Sequence, residues 1–134
     1  MLAVTSYKKA YVEACRAGAK AQMSAFRKLM KEAPAAAKSF APGYFITQVL
    51  ALDHFFLHRQ RSFEGKAGGP LNELRMLCDS IKENDGVMAG NSTIKYDAAK
   101  SVTGIAVGQK IVLDDAQYER LSAAVFAEIK EKYA

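Results

Sequence analysis

The sequence contains few of the features that point to membranes or disulfides. It has only two cysteines, Cys15 and Cys78, which stand far apart and outside any CxxC or Cys/His cluster. We therefore expect two free thiols in a reducing cytoplasm. No apolar run reaches the roughly 18 residues that span a bilayer, and the apolar stretch at the start is too short for a signal peptide. The sequence predicts a cytoplasmic protein with no membrane association.

Histidine is equally scarce, because the chain has only His54 and His58, four residues apart. On a helix this spacing allows two side chains to bind one metal ion. A metal site needs at least a third ligand, which could come only from a carboxylate such as Asp53 or Glu64, and the motif lacks the glutamate of HExxH. We expect polar or interface histidines and predict no metal and no other cofactor.

The glycine-rich stretch EGKAGGP at residues 64–70 has the composition of a phosphate-binding loop without its spacing. The GxxxxGK[ST] pattern is absent and no predicted strand leads into it, so a tight turn with Pro70 at the first helical position is the simpler interpretation. An anion could still rest at the start of the helix that follows. Because no nucleophile elbow, dinucleotide fingerprint or paired-carboxylate signature occurs either, the sequence leaves enzymatic activity uncertain.

Length and periodicity predict a mainly α fold in a single domain over residues 1–134. The chain has 134 residues, half of them hydrophobic, which is enough for a core without disulfides. Apolar residues at helical spacing predict a bundle of about four helices. The predicted helices cover residues 6–32, 44–63 and 70–84, and the last begins at residue 114 with a capping box. Pro34 and Pro42 predict a connector over residues 33–43.

The segment before the last helix differs in composition from the predicted helices. The stretches TIKYD (93–97), SVTGIAV (101–107) and KIVLD (110–114) are rich in β-branched residues, and Gly108-Gln109 is a possible hairpin turn. The sequence therefore predicts a small β-rich insertion, either a hairpin or a short antiparallel sheet.

The positive charge is concentrated near the start of the chain. Residues 1–40 hold eight lysines and arginines against two glutamates, a net charge of +6, whereas the whole chain carries +5. Five cations of the first helix fall within about 60° of one another, and we call them the basic row: Lys9, Arg16, Lys20, Arg27 and Lys31. Such a row is either a solvated face or a surface that follows the phosphates of RNA or another polyanion.

The second helix is apolar around most of its circumference, which indicates a central position. Three short neighbouring helices would cover so wide a surface only in part. The sequence therefore predicts a homodimer, paired through the second and third helices.

Residues 70–132 resemble certain short bacterial proteins of the HEPN type, on the stretches LNELRMLCDSIKENDGVM and VGQKIVLDD. The related helix of such proteins tends to read N-x-I-K-H-N-N-G, preceded by an arginine. The resemblance implies an α-helical bundle that pairs into a dimer and cleaves or binds RNA in defence or toxin–antitoxin systems. By position, Arg75 matches the arginine, Asp79 the polar residue and Asn84 the asparagine, whereas Glu83 stands where the histidine would be.

The missing histidine favours a dimeric module that binds RNA or a partner protein and has lost catalysis, since an exposed carboxylate is mostly ionised and repels phosphate. We therefore assign no catalytic residue. The alternatives are a ribonuclease using Arg75 with His54 or His58, a small-molecule or metal-binding bundle, and a purely structural subunit. A simple structural role for Arg75 is an ion pair with Asp79 or Glu64. The candidate polar cluster consists of His54, His58, Arg59, Glu64, Asn72, Arg75, Asp79 and Glu83.

Overall fold

A computed structural model describes residues 2–134 of the protein. Its four α-helices are α1 (Lys9–Glu32), α2 (Pro34–His54), α3 (Pro70–Glu83) and α4 (Asp115–Tyr133), and two short 3-10 helices occupy Arg61–Glu64 and Ala98–Lys100. The predicted four-helix, mainly α fold is confirmed. Among residues 2–134, no helix combines the length and the apolar character that crossing a membrane requires.

The helices share one apolar core. α1 packs against α2 and α4, α3 packs against the same two helices, and α2 also contacts α4. Ile46 and Leu50 of α2 are half-buried against this core, so much of the wide apolar surface of α2 is covered within the chain. The largest wholly buried apolar side chains include Phe45, Phe56, Leu74, Leu121 and Ile129.

The predicted connector over residues 33–43 is wrong, because α2 already begins at Pro34. Proline is well suited to the first helical position, where its missing N–H leaves no hydrogen bond unmade. Only Ala33, with φ −142° and ψ 68°, interrupts the helical backbone between α1 and α2. Pro42 lies inside α2, and the burial of Ala37 and Phe45 on either side of it opposes the cost of the lost hydrogen bond.

α2 ends at His54 and not near residue 63, because the chain turns there to meet the amino-terminal segment. The backbone N–H of Val4 donates to the carbonyl of His58, and the N–H of Gln60 donates to the carbonyl of Val4, both at 2.7 Å. These bonds satisfy backbone groups that a longer helix would have paired internally. The turn places Arg59 in the interior, between the end of α2 and the 3-10 helix.

The predicted β-rich insertion is not found. Within the described chain, the connecting segment (residues 84–114) contains no strand or hairpin, and its only bridge joins Val87 to Lys110. Backbone hydrogen bonds from Met88 to Gln109 and from Ile111 to Gly86 flank this bridge, and a side chain of α3 binds the backbone farther along the segment. The carboxylate of Glu73 accepts hydrogen bonds from the N–H groups of Val102 and Thr103, both at 2.9 Å. The β-prone residues enter the helical core one at a time, as Ile105, Ile111 and Leu113 do.

The predicted capping box at the start of α4 is confirmed. The Asp114 carboxylate accepts the N–H of Gln117 at 2.7 Å, and the side chain of Gln117 accepts the N–H of Asp114 at 3.0 Å. The two reciprocal bonds satisfy free donors at the helix end and fix where α4 begins.

Candidate functional site

Two arginines converge on one buried carboxylate between α2 and α3. Nε of Arg59 lies 2.5 Å from Oε1 of Glu64, and both side chains are only 2% exposed. Arg75 of α3 donates to the same carboxylate, from Nη2 to Oε1 at 2.5 Å and from Nε to Oε2 at 3.1 Å. With Asp53, which also pairs with Arg59, these residues form what we call the arginine cluster.

Arg59 is held from several sides. Its Nη1 donates to Oδ1 of Asp53 at 2.9 Å and to the carbonyl of Phe56 at 3.0 Å, whereas Nη2 has no partner among the described residues. Burial by itself lowers the pKa of Arg59, but the charges of Glu64 and Asp53 together raise it by more. The pKa of Arg59 therefore lies above its ordinary value. Arg59 is therefore a permanent interior cation whose charge is compensated by its neighbours.

The structure brings together only part of the candidate polar cluster. Of the two ion pairs considered for Arg75, the pair with Glu64 forms and the pair with Asp79 does not. Asn72 lies nearby and shapes the turn before α3, since its side chain donates to the carbonyl of Gly65 and accepts the N–H of Gly68. The other four candidates are exposed and make no side-chain hydrogen bond to the arginine cluster: His54, His58, Asp79 and Glu83.

The sequence reasoning missed the contribution of α4 to this region. Oε1 of Glu128 accepts the backbone N–H of Leu71 at 2.9 Å, and Oε2 accepts from Nζ of Lys132 at 2.7 Å. The carboxylate of Glu128 therefore occupies the start of α3, where the sequence allowed an external anion. Its negative charge interacts favourably with the positive end of the α3 dipole. The only local signal was the i, i+4 spacing of Glu128 and Lys132.

This arrangement is typical of a structural network. Nε and Nη2 of Arg75 both donate to Glu64 and the side chain is 16% exposed, so its charge is already compensated within the chain. Neither His54 nor His58 contributes to the cluster. Within residues 2–134, no group of three or more His, Cys, Asp or Glu side chains could hold a metal ion.

The basic row lies on the exposed side of α1, and its members are paired to different extents. Arg27 bridges two acids of α4, at 3.2 Å from Asp115 and 2.7 Å from Glu119. Arg16 lies 3.6 Å from Glu13, an exposed contact of little strength. In the described part of the chain the remaining three make no ion pair: Lys9, Lys20 and Lys31.

A groove of about 550 Å³ runs between α1 and α4, and we call it the α1–α4 groove. Apolar side chains including Val12, Met23 and Phe126 line it, together with small residues of both helices. Arg16 and Lys20 of the basic row also line the groove. The charged residues of its lining are Glu13, Arg16, Lys20, Arg27, Glu119 and Lys130.

Comparison with protein-family models finds no match to this chain, and neither does comparison with curated proteins or with solved structures. The resemblance to HEPN-type proteins therefore stays a prediction.

Proposed function

We propose that the protein is a non-catalytic binding module that recognises an anionic partner through the α1–α4 groove and the basic row beside it. The observation that carries the proposal is the convergence of Arg16 and Lys20 from α1 with Lys130 from α4 on one largely apolar groove. Cations attract and orient an anionic partner over distance, while the apolar lining offers surface to bury on contact.

The geometry of the arginine cluster supports binding over catalysis. The ribonuclease alternative requires Arg75 to contact a phosphate, with His54 or His58 as the proton-transfer group. In the structure Arg75 is bound to Glu64, and both histidines lie outside the cluster. In this proposal the protein is a catalytically degenerate module of the HEPN type, in keeping with Glu83 at the position of the histidine.

The predicted homodimer through α2 and α3 is part of the proposal and would leave the α1–α4 groove open. Leu57 and Phe63, which follow α2, are exposed apolar side chains that such a dimer could cover. Light scattering at tens of micromolar should give the mass of a dimer. A monomer would contradict the dimer and leave the binding proposal standing, because the groove is formed within one chain.

The binding proposal is tested by titrating the protein with an RNA oligonucleotide and with polyglutamate at about 50 and about 200 mM salt. At least one polyanion should bind, more weakly at the higher salt because association releases counterions. The double variant Arg16→Glu/Lys20→Glu should weaken binding about tenfold or more, a loss of about 1.4 kcal/mol. Its melting temperature should barely change, since exposed charges contribute little to folding.

The matched control is Lys95→Glu/Lys110→Glu, which changes the net charge equally at two exposed positions outside the groove. This control should bind like the unmodified protein if the groove is the site. Equal losses in both variants would reduce the effect to net charge. No binding of either polyanion or of an acidic peptide at about 50 mM salt would refute the proposal.

A further inference from the structure

We infer that the occupant of the α1–α4 groove is an amphipathic helix of a partner protein, with an apolar face and acidic flanks. This inference rests on the proposed function and specifies the partner. Two contacts show how α1 and α4 are oriented relative to each other. Arg27 in the last turns of α1 pairs with Asp115 at the start of α4, and Tyr7, just before α1, donates its N–H to the carbonyl of Tyr133 at 2.8 Å. The two helices are therefore antiparallel neighbours along their length.

The lining residues have the spacing of a helix-binding surface. On α4 the lining residues are spaced alternately three residues and one residue apart. They therefore form one straight stripe, next to the residues of α4 that face the core. On α1 the lining residues also recur in steps of three and one, from Val12 to Arg27. Two parallel stripes of this kind leave a trough into which the side chains of a third helix can insert. The α4 stripe consists of Glu119, Ser122, Ala123, Phe126, Ala127 and Lys130.

The dimensions suit a helix of about four turns. At 1.5 Å per residue, the α1 stripe from Val12 to Arg27 extends about 22 Å, the length of a helix of about 15 residues. The middle of the groove carries Ala19, Ala123 and Ala127. Such small side chains allow a third backbone to approach closely, and the buried side chains of Phe126 and Met23 form the floor of the groove.

The charges of the groove favour acidic flanks on the partner. Arg27 is already paired with Asp115 and Glu119, whereas Lys20 makes no ion pair among the described residues and Arg16 only a weak one. Within α1, six lysines and arginines stand against two glutamates, a net charge of +4. A second copy of this chain that placed its α1 in the groove would therefore be repelled, and an acidic helix would be attracted.

The apolar lining also distinguishes a helix from RNA. Phosphate contacts need cations alone, and single-stranded bases need several aromatic faces on which to stack. Phe126 and Tyr118 are the only aromatic residues that line the groove, and both belong to the buried core. An RNA would leave the small and apolar middle of the groove unused, whereas the apolar face of a helix would cover it.

The test uses a labelled peptide of about 15 residues with leucines at a and d positions and glutamates on both flanks. A scrambled peptide of the same composition is the control, and the RNA oligonucleotide is the competing class of partner. Fluorescence anisotropy measures binding, and circular dichroism measures helix formation in the peptide. We expect the amphipathic peptide to bind at least about tenfold more tightly than the scrambled one and to gain helicity on binding.

The neutral variant Ala123→Gln/Ala127→Gln tests the groove itself. Both positions are exposed on α4 and glutamine is a good helix former, so the fold should persist. The bulky polar side chains should lower the affinity for the amphipathic peptide about tenfold. The affinity for polyglutamate and its salt dependence should stay unchanged. Ala10→Gln/Ala14→Gln, exposed on α1 and outside the groove lining, should change neither.

The outcomes separate the inference from the proposed function. If the two peptides bind equally and Ala123→Gln/Ala127→Gln has no effect, or if RNA alone binds, the helical partner is wrong while the binding proposal stands. If peptides, polyglutamate and RNA all fail to bind, both are wrong.

Discussion

Arg59 and Glu64 form an ion pair inside the protein, with 2.5 Å between Nε and Oε1 and both side chains almost wholly buried. Arg75 shares the same carboxylate from α3. A charge that is buried with its partners is tolerated, but it becomes costly when one partner is removed. The turn between α2 and α3 therefore depends on Glu64 to compensate the charge of both arginines.

Glu64→Gln should lower the free energy of unfolding by about 3–5 kcal/mol, because it leaves two arginines without their shared carboxylate. Urea denaturation measures the loss. Asp79→Asn is the control, since Asp79 is exposed on α3 without an ion pair among the described residues, and it should change stability by less than about 0.5 kcal/mol. A loss below about 1 kcal/mol for Glu64→Gln would show that the cluster does not stabilise the fold.

The double variant His54→Ala/His58→Ala should retain the stability of the unmodified protein within about 0.5 kcal/mol, because both side chains are exposed. Protein purified without a tag should contain no stoichiometric zinc or nickel by elemental analysis. A bound metal that disappears in the double variant would contradict this prediction, since loss of a ligand releases the metal.

Stability should fall in alkaline solution. Burial raises the pKa of Cys78 from 9.0 to about 12 and that of Tyr118 from 10.0 to about 12. The native state then holds protons that the unfolded chain releases, so the contribution of these two groups to the free energy of unfolding should be constant below about pH 9 and decline between about pH 9 and pH 12. Tyr118→Phe keeps the ring and removes the ionisable group, and its denaturation midpoint should decline less over this range. Equal declines in the two proteins would rule out a contribution from Tyr118.

Glu128→Ala should destabilise the protein by about 1–2 kcal/mol, because it removes the acceptor of the Leu71 N–H and the anion at the positive end of α3. Glu131→Ala removes an exposed glutamate from the same helix and should change the free energy of unfolding by less than about 0.5 kcal/mol. Thermal melting followed by circular dichroism compares the two. Equal melting temperatures would mean that the cap contributes nothing.

Much of the helical fold could be predicted from periodicity and end signals. The start of α4 was correctly predicted because Asp114 and Gln117 interact locally, and the start of α3 because Pro70 marks it. The connector prediction failed because Pro34 can begin a helix as well as end one. The β prediction failed because residues such as Ile105 and Ile111 are buried by tertiary packing against helices, which their β propensity does not reveal.

The arginine cluster could be predicted only in part. The pair of Glu64 and Arg75 was one of two open possibilities. The burial of Arg59 had no local signal, because its compensation comes from both Asp53 and Glu64 once the chain turns back on itself. The α1–α4 groove had no local signal for a similar reason, since it forms only when the first and last helices of the chain become neighbours.

The bonds from Glu73 to Val102 and Thr103 also bear on the order of folding. Among the described residues, the N–H groups of Val102 and Thr103 have no backbone acceptor, so they gain these bonds only after α3 has formed and presented the carboxylate. Contacts that join distant parts of a chain form late, because closing the loop costs entropy before the contact can compensate for it. This part of the connecting segment should therefore become ordered after α3, and the amide hydrogens of Val102 and Thr103 should acquire protection from exchange later than those of α3.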